Sequence, residues 1–183
     1  MKKKVALFVS ALFVFLLIGC GESDIKTVEK DEETNVEDVE DQSEEETDTE
    51  EIKKLSIGDS VDFDGVIITL NEARVEPGGE FDTPEEDKFI VVNLTAENTT
   101  DEEQAISSIL NVELKDQDAY TYSTTILIDG TKGQFDGSVE PGGKLRGEIP
   151  FDVAESESYE LHYSNPFKTG KAIWTFSSSE LTQ

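Results

Sequence analysis

The sequence is poor in the side chains that most often carry chemistry. It has one cysteine, one histidine, one tryptophan and one methionine in 183 residues. A single cysteine excludes any disulfide within the chain, so a fold must stand on its apolar core. A zinc site takes several His or Cys ligands, more than one of each can supply. His162, the sole histidine, alternates with Glu160 and Ser164 and opposes Tyr159, Leu161 and Tyr163, so it is expected to face solvent. No Gly-x-Ser-x-Gly elbow accompanies it, as a serine nucleophile would require. A Walker-type glycine loop and a dinucleotide fingerprint are missing too. Basic residues are scarce, 15 Lys and Arg against 42 Asp and Glu, for a net charge of −27. Phosphate backbones are gripped by basic patches, so nucleic acid is excluded as a partner. Together these absences argue against an enzyme and leave no cofactor to expect.

Long apolar runs are equally rare; there is one, and it is at the start. Lys2, Lys3 and Lys4 precede an apolar stretch from Val5 to Ile18 that only Ser10 interrupts. A basic n-region and an h-region of about 14 residues are the anatomy of a secretory signal peptide. A stable membrane span takes about 20 apolar residues, so this run is short for one. Leu17, Ile18, Gly19 and Cys20 follow, and they resemble the lipobox of bacterial lipoproteins. The resemblance implies a diacylglyceryl group on the Cys20 thiol, cleavage after Gly19 and a mature chain that begins at Cys20. Two acyl chains anchor stably where one holds only marginally. The competing reading is a free thiol at the end of an uncleaved anchor. On the lipoprotein reading the protein is held at the cell membrane, facing outside the cytoplasm.

Between Glu22 and Glu51 there are sixteen Asp and Glu against Lys26 and Lys30, a net charge of −14, with no aromatic residue. High charge with little to bury is the signature of a disordered segment. Helix is the alternative, since Glu favours it, but like charges recur at i,i+4 spacing and oppose it. Residues 20–54 are therefore expected to form a disordered acidic linker. Such a coil spans on the order of 30 Å root-mean-square, with a ceiling of roughly 110–120 Å, and should hold a folded body off the membrane.

Residues 55–183 hold seven of the ten Phe, all four Tyr and the Trp. Their pattern is strand after strand. "SVDFDGVIITL" carries Val61, Phe63, Val66, Ile68 and Leu70 around a tight turn at Asp64-Gly65. "KFIVVNLTAEN" is apolar on both faces at first and then settles to Ile90, Val92, Leu94 and Ala96, as a central strand would. "ILNVELKD" puts Leu110, Val112 and Leu114 in phase, and "YTYSTTILI" does so for Tyr120, Tyr122, Ile126 and Ile128. In "KLRGEIPFDV", Leu145, Ile149, Phe151 and Val153 share a face, and Pro150 predicts a sheet edge or a bulge. "YELHY" and "AIWTF" complete the set, with Gly- and Pro-rich turns between strands. A short helical turn fits near "TDEEQAISS". Seven or eight such strands predict an all-β fold, an immunoglobulin-like β-sandwich.

The ordered set "IGDSVDFDGVIITLNEARV", "KFIVVNLTAENTT", "VELKDQDAYTY" and "SVEPGGKLRGEIPFDV" resembles the telokin-like extracellular domains of Gram-positive bacteria, a family largely of unknown function. The resemblance covers about Ser56 to Phe176. It implies an immunoglobulin-like sandwich behind a lipobox and linker, and brings no catalytic residues.

The expected organisation is a signal peptide over 1–19, a linker over 20–54 and a sandwich over 55–183. The expected function is display of a binding module to a protein or peptide partner in the envelope. Two acidic loops supply the alternatives. Asp82, Glu85, Glu86 and Asp87 crowd one, and Asp101, Glu102 and Glu103 the other. Converging at one end of a sandwich, they would offer oxygen ligands to Ca²⁺, or attract a cationic peptide or solute. The plainest reading of the charge is solubility alone.

Overall fold

The computed structural model describes residues 21–28 and 54–183. In chain order its strands are β1 (Gly21–Glu22), β2 (Ile25–Val28), β3 (Ser60–Phe63), β4 (Val66–Glu76), β5 (Lys88–Asn98) and β6 (Gln104–Ile106). A single helical turn, α1 (Ser108–Asn111), leads into β7 (Val112–Asp116) and β8 (Thr121–Tyr122). The remainder are β9 (Gly137–Val139), β10 (Lys144–Val153), β11 (Ser158–Ser164), β12 (Lys168–Thr169) and β13 (Lys171–Ser177).

Two antiparallel sheets face each other, in the orders β10-β5-β4-β3-β2 and β13-β11-β7-β8. Their inner faces make one core. The first sheet sends in Val61, Ile68, Leu70, Ile90, Val92, Leu94, Ile149 and Phe151; the second sends in Leu114, Tyr159, Leu161, Trp174 and Phe176. Trp174 is wholly buried, and its indole N–H donates to the Asp59 carbonyl at 3.1 Å. Tyr159 donates its hydroxyl back to the Ala154 carbonyl at 2.7 Å, a corner of the sort found in immunoglobulin-like sandwiches. The fold is thus the all-β sandwich that the alternation predicts.

The best-patterned strands land as read. Asp64 and Gly65 both take positive φ, 55° and 82°, the backbone of a two-residue hairpin turn. β5 is central and buried on both faces over most of its length. β10 is an edge strand, which tolerates the missing amide of Pro150. In β4 a bulge at Asn71 shifts the register between Leu70 and Glu72. The inward position therefore passes to Ala73, and Arg74 turns to the outer face.

Four expectations need correction. First, the acidic linker does not begin at Gly21. Ile25–Val28 pairs with Ser60–Phe63 as the fifth strand of the first sheet, and Gly21–Glu22 pairs in parallel with Lys168–Thr169. Ile25 packs against the core, an apolar contact that the surrounding acid concealed. The chain leaves the sheet after Val28 and is again described from Lys54; the rest of the expected linker and the leader lie outside the described residues. Second, Leu110 is not inward. It sits 58% exposed in α1, because Ser108 gives both its amide and its hydroxyl to Asp136 (2.8 and 2.7 Å) and closes a helical turn there. Third, Tyr120, Ile126 and Ile128 are exposed, and Leu127 is buried instead. The chain quits the second sheet after Tyr122 and crosses to the edge strand, where Thr125 donates to the Pro150 carbonyl at 2.9 Å. Fourth, His162 is buried. It does face away from Leu161 and Tyr163, but β11 is flanked on both sides. Ile173 and Glu113 are its cross-strand neighbours. Its ring nitrogens lie 3.0 Å from Glu160 Oε2 and 3.5 Å from Glu113 Oε1.

Candidate functional site

Where the segment after β8 crosses β10, it leaves a cleft at one end of the sandwich. The cleft encloses ≈ 440 Å³. Phe81, Phe89 and Ile126 supply its apolar wall, Ser123, Thr124 and Thr125 a row of hydroxyls, and Asp82, Glu85 and Asp152 its carboxylates.

Each wall is fixed by a hydrogen bond across a long stretch of sequence. Leu127 packs on Phe89 and Val91, on the outer face of the first sheet, and pins the crossing segment. Asp82 is buried, and its Oδ2 accepts the amides of Ile128 (2.9 Å) and Asp129 (3.2 Å). Asp152 accepts the amides of Glu85 (2.7 Å) and Glu86 (3.1 Å). Asp87 accepts that of Glu155 at 2.8 Å. These carboxylates therefore hold loops together while leaving their negative charge at the rim. Phe81, Ile126 and Ile128 stand 71%, 86% and 68% exposed beside them. A rim that is both apolar and anionic fits a cationic segment bearing a hydrophobic side chain.

The two acidic loops do not meet. Asp82 to Asp87 precede the start of β5, whereas Asp101 to Glu103 follow its end. An 11-residue strand separates them, roughly 35 Å at the usual rise. Among the described residues no three His, Cys, Asp or Glu side chains are grouped to hold a metal ion. Leu17, Ile18, Gly19 and Cys20 lie outside the described residues, and Gly21, next in the chain, opens β1. Among the described residues no helix is long and apolar enough to cross a membrane.

A second hollow, of ≈ 450 Å³, lies on the outer face of the first sheet between Glu72, Asn93, Lys132, Gly133, Arg146 and Glu148. Its polar groups largely answer one another. Glu148 accepts from Arg74 (2.9 Å), Asn93 (3.0 Å) and the Lys132 amide (2.8 Å), and Arg146 donates to Asn93 at 2.8 Å. This is a structural network.

Sequence reasoning located the acidic loop of the cleft but missed Phe81, Ile126 and the three hydroxyls. The one available signal was Phe81 itself, an aromatic set among acids in "GGEFDTPEED".

The sequence pattern of one known family matches residues 55–173. The chain belongs to the DUF4352 family, a domain of unknown function. The DUF4352 domain is similar in structure to the "putative lipoprotein" ycdA of Bacillus subtilis, at 16% identity and a TM-score of 0.53. That match covers 70% of this chain and 39% of ycdA, so the chain spans well under half of that protein's length. It is also similar to the yjhA protein of Bacillus subtilis, at 14% identity and a TM-score of 0.53, over 67% of this chain and 99% of yjhA. An uncharacterized beta-sandwich protein of Clostridium difficile aligns at 22% identity and a TM-score of 0.48, over 75% of this chain and all of that one (100%). Such identities speak to the fold alone. None of the curated proteins matches the chain. Nothing in the DUF4352 match indicates a catalytic family.

Proposed function

We propose that this DUF4352 domain belongs to a lipid-anchored envelope protein that displays its cleft, without catalysis, to a cationic protein or peptide segment. Cys20 carries the diacylglyceryl group, Leu17, Ile18 and Gly19 precede it as the lipobox, and the body faces outside the cytoplasm. The likeness to a structure described as a "putative lipoprotein" supports the anchor. The observation that carries the display is the layout of the sandwich. Gly21 and Ile25 sit at the end of the first sheet where β5 finishes, because Ile25 pairs with Phe63, Phe63 with Val66 and Val66 with Asn98. Phe89 and Asp152 of the cleft are at the end where β5 starts. An anchor at Cys20 therefore presents the cleft outward.

Replacing Cys20 by serine is the direct test. The expected result is folded protein that lacks the mass of the lipid. Protein that stays in the membrane at unchanged mass would refute the anchor.

Calcium is the rival occupant of the acidic rim. Asp82, Asp87 and Asp152 are already committed to loop amides, so millimolar calcium is expected to leave the melting temperature unchanged. A ligand that binds only the native state raises that temperature; a clear rise would transfer the function to cation binding.

A further inference from the structure

We propose that the end of the sandwich opposite the cleft seats directly on the lipid leaflet that receives the anchor, with Phe167, Ile109 and Leu110 entering it. The inference rests on the Cys20 reading and adds the orientation and contact surface of the body.

The first observation is where the undescribed N-terminal stretch ends. Gly21 pairs with Lys168 and Glu22 with Thr169, and the Ser23 amide donates to the Thr169 carbonyl at 2.9 Å. Cys20 is one peptide unit from Gly21, about 3.8 Å between Cα atoms. Phe167 is one unit from Lys168, the partner of Gly21 across a strand spacing of about 4.8 Å. No slack chain separates the anchoring residue from the body, so acyl chains on Cys20 bring Phe167 to the membrane with them.

The second observation is independent of the cysteine. This end carries its own cluster of exposed apolar side chains, Phe167 at 78%, Ile109 at 77% and Leu110 at 58%. They belong to two elements tied together: the Asn111 side-chain Nδ2 of α1 donates to the Ser164 carbonyl at 2.9 Å, at the end of the strand that leads into the Phe167 turn. Lys168 and Lys171 flank that turn, with Lys168 held 3.0 Å from Asp64. Aromatic and aliphatic side chains beside lysines are the composition of an interfacial contact, in which the ring sits at the acyl boundary and the ammonium reaches the headgroups. The same end also carries acids, Asp101 to Glu103 after β5 and the exposed Glu22 and Asp24 beside the Phe167 turn, so the apolar side chains and not charge carry the contact.

The experiment uses the full-length protein, extracted with its lipid and placed in vesicles of phosphatidylcholine and phosphatidylglycerol with brominated acyl chains. Phe167→Trp and Ile109→Trp each add a reporter to a background of one tryptophan, Trp174, which is wholly buried in the core. Ile126→Trp, in the cleft, is the control. The added emission at positions 167 and 109 should be blue-shifted by the apolar surroundings and quenched by bromine, while the control stays as in unbrominated vesicles. Equal emission from all three variants, with the mass confirming lipid on Cys20, would overturn the seating and leave the anchor intact. A mass without lipid would instead refute the anchor reading, and this inference with it.

Discussion

Gly147→Ala is expected to destabilise the domain by about 3 kcal/mol. Gly147 lies in edge strand β10, and its backbone is met by the returning segment through a bridge between Gln134 and Glu148. A Cβ at position 147 would overlap the carbonyl of Gln134 and the amide nitrogen of Phe135. These are backbone atoms, so no rotamer change relieves the contact. Either the segment lifts, withdrawing the fully buried Phe135 from the core, or β10 bends away from β5. Withdrawing a buried phenylalanine costs about 3–5 kcal/mol by analogy with truncation, and overpacking costs about 1–3 kcal/mol; the cheaper route sets the loss. For a domain of this size that is a fall in melting temperature of about 10 °C. Gly79→Ala is the control, because a Cβ there meets nothing within 4 Å; it should stay within about 0.5 kcal/mol of the parent. If the two variants melt together in a thermal scan, the close approach at Gly147 is not real.

That glycine also shows how far a sequence reaches. A glycine inside a well-patterned strand signals a close approach by another backbone, but nothing in "KLRGEIP" names the segment that approaches. The strands read correctly come from both sheets, β3, β4, β5 and β10 in one and β7, β11 and β13 in the other, each with a face on the shared core. Their period of two survives because a single core sets it. The reading fails where two influences compete. In "IKTV", Ile25 reaches the core and Val28 closes the register with Ser60, yet acid on both sides makes the window look unfoldable. After Tyr122 the chain changes sheets, so the apolar phase slips by one and Leu127 is buried in place of Ile126 and Ile128. At His162 the alternation gives the correct side, but whether that side is wet depends on Glu113 and Ile173 from neighbouring strands. The cleft is harder still. Its walls are set by Asp82 and Asp152 bonding to amides 46 and 67 residues away, and such pairings leave no local trace.

Glu148→Ala should cost about 3 kcal/mol at neutral pH, for a different reason. The Glu148 side chain is only 7% exposed, and Arg74, at 18%, lies 2.9 Å away. Removing the carboxylate strips Arg74 of its close partner and leaves the Asn93 amide and the Lys132 N–H without their acceptor. Breaking such a pair on one side costs about 3–5 kcal/mol. The lower figure applies because Arg74 keeps the Gly130 carbonyl at 2.6 Å and Glu76 at 3.9 Å. The pH dependence separates charge from packing. Burial alone would raise the Glu148 carboxyl, but the hydrogen bonds from Arg74, Asn93 and the Lys132 amide outweigh it and hold it below its ordinary value of 4.5. A folded-state value below the unfolded one means that the ionised carboxylate stabilises the fold. The contribution is complete above about pH 4.5 and is lost as pH falls through the depressed folded value. Urea denaturation of parent and Glu148→Gln should therefore give a stability gap that is constant from neutral pH down to about pH 5 and closes under stronger acid. A gap that persists unchanged at low pH would mean that Glu148 acts by shape alone, and that the network on the outer face carries no net electrostatic stabilisation.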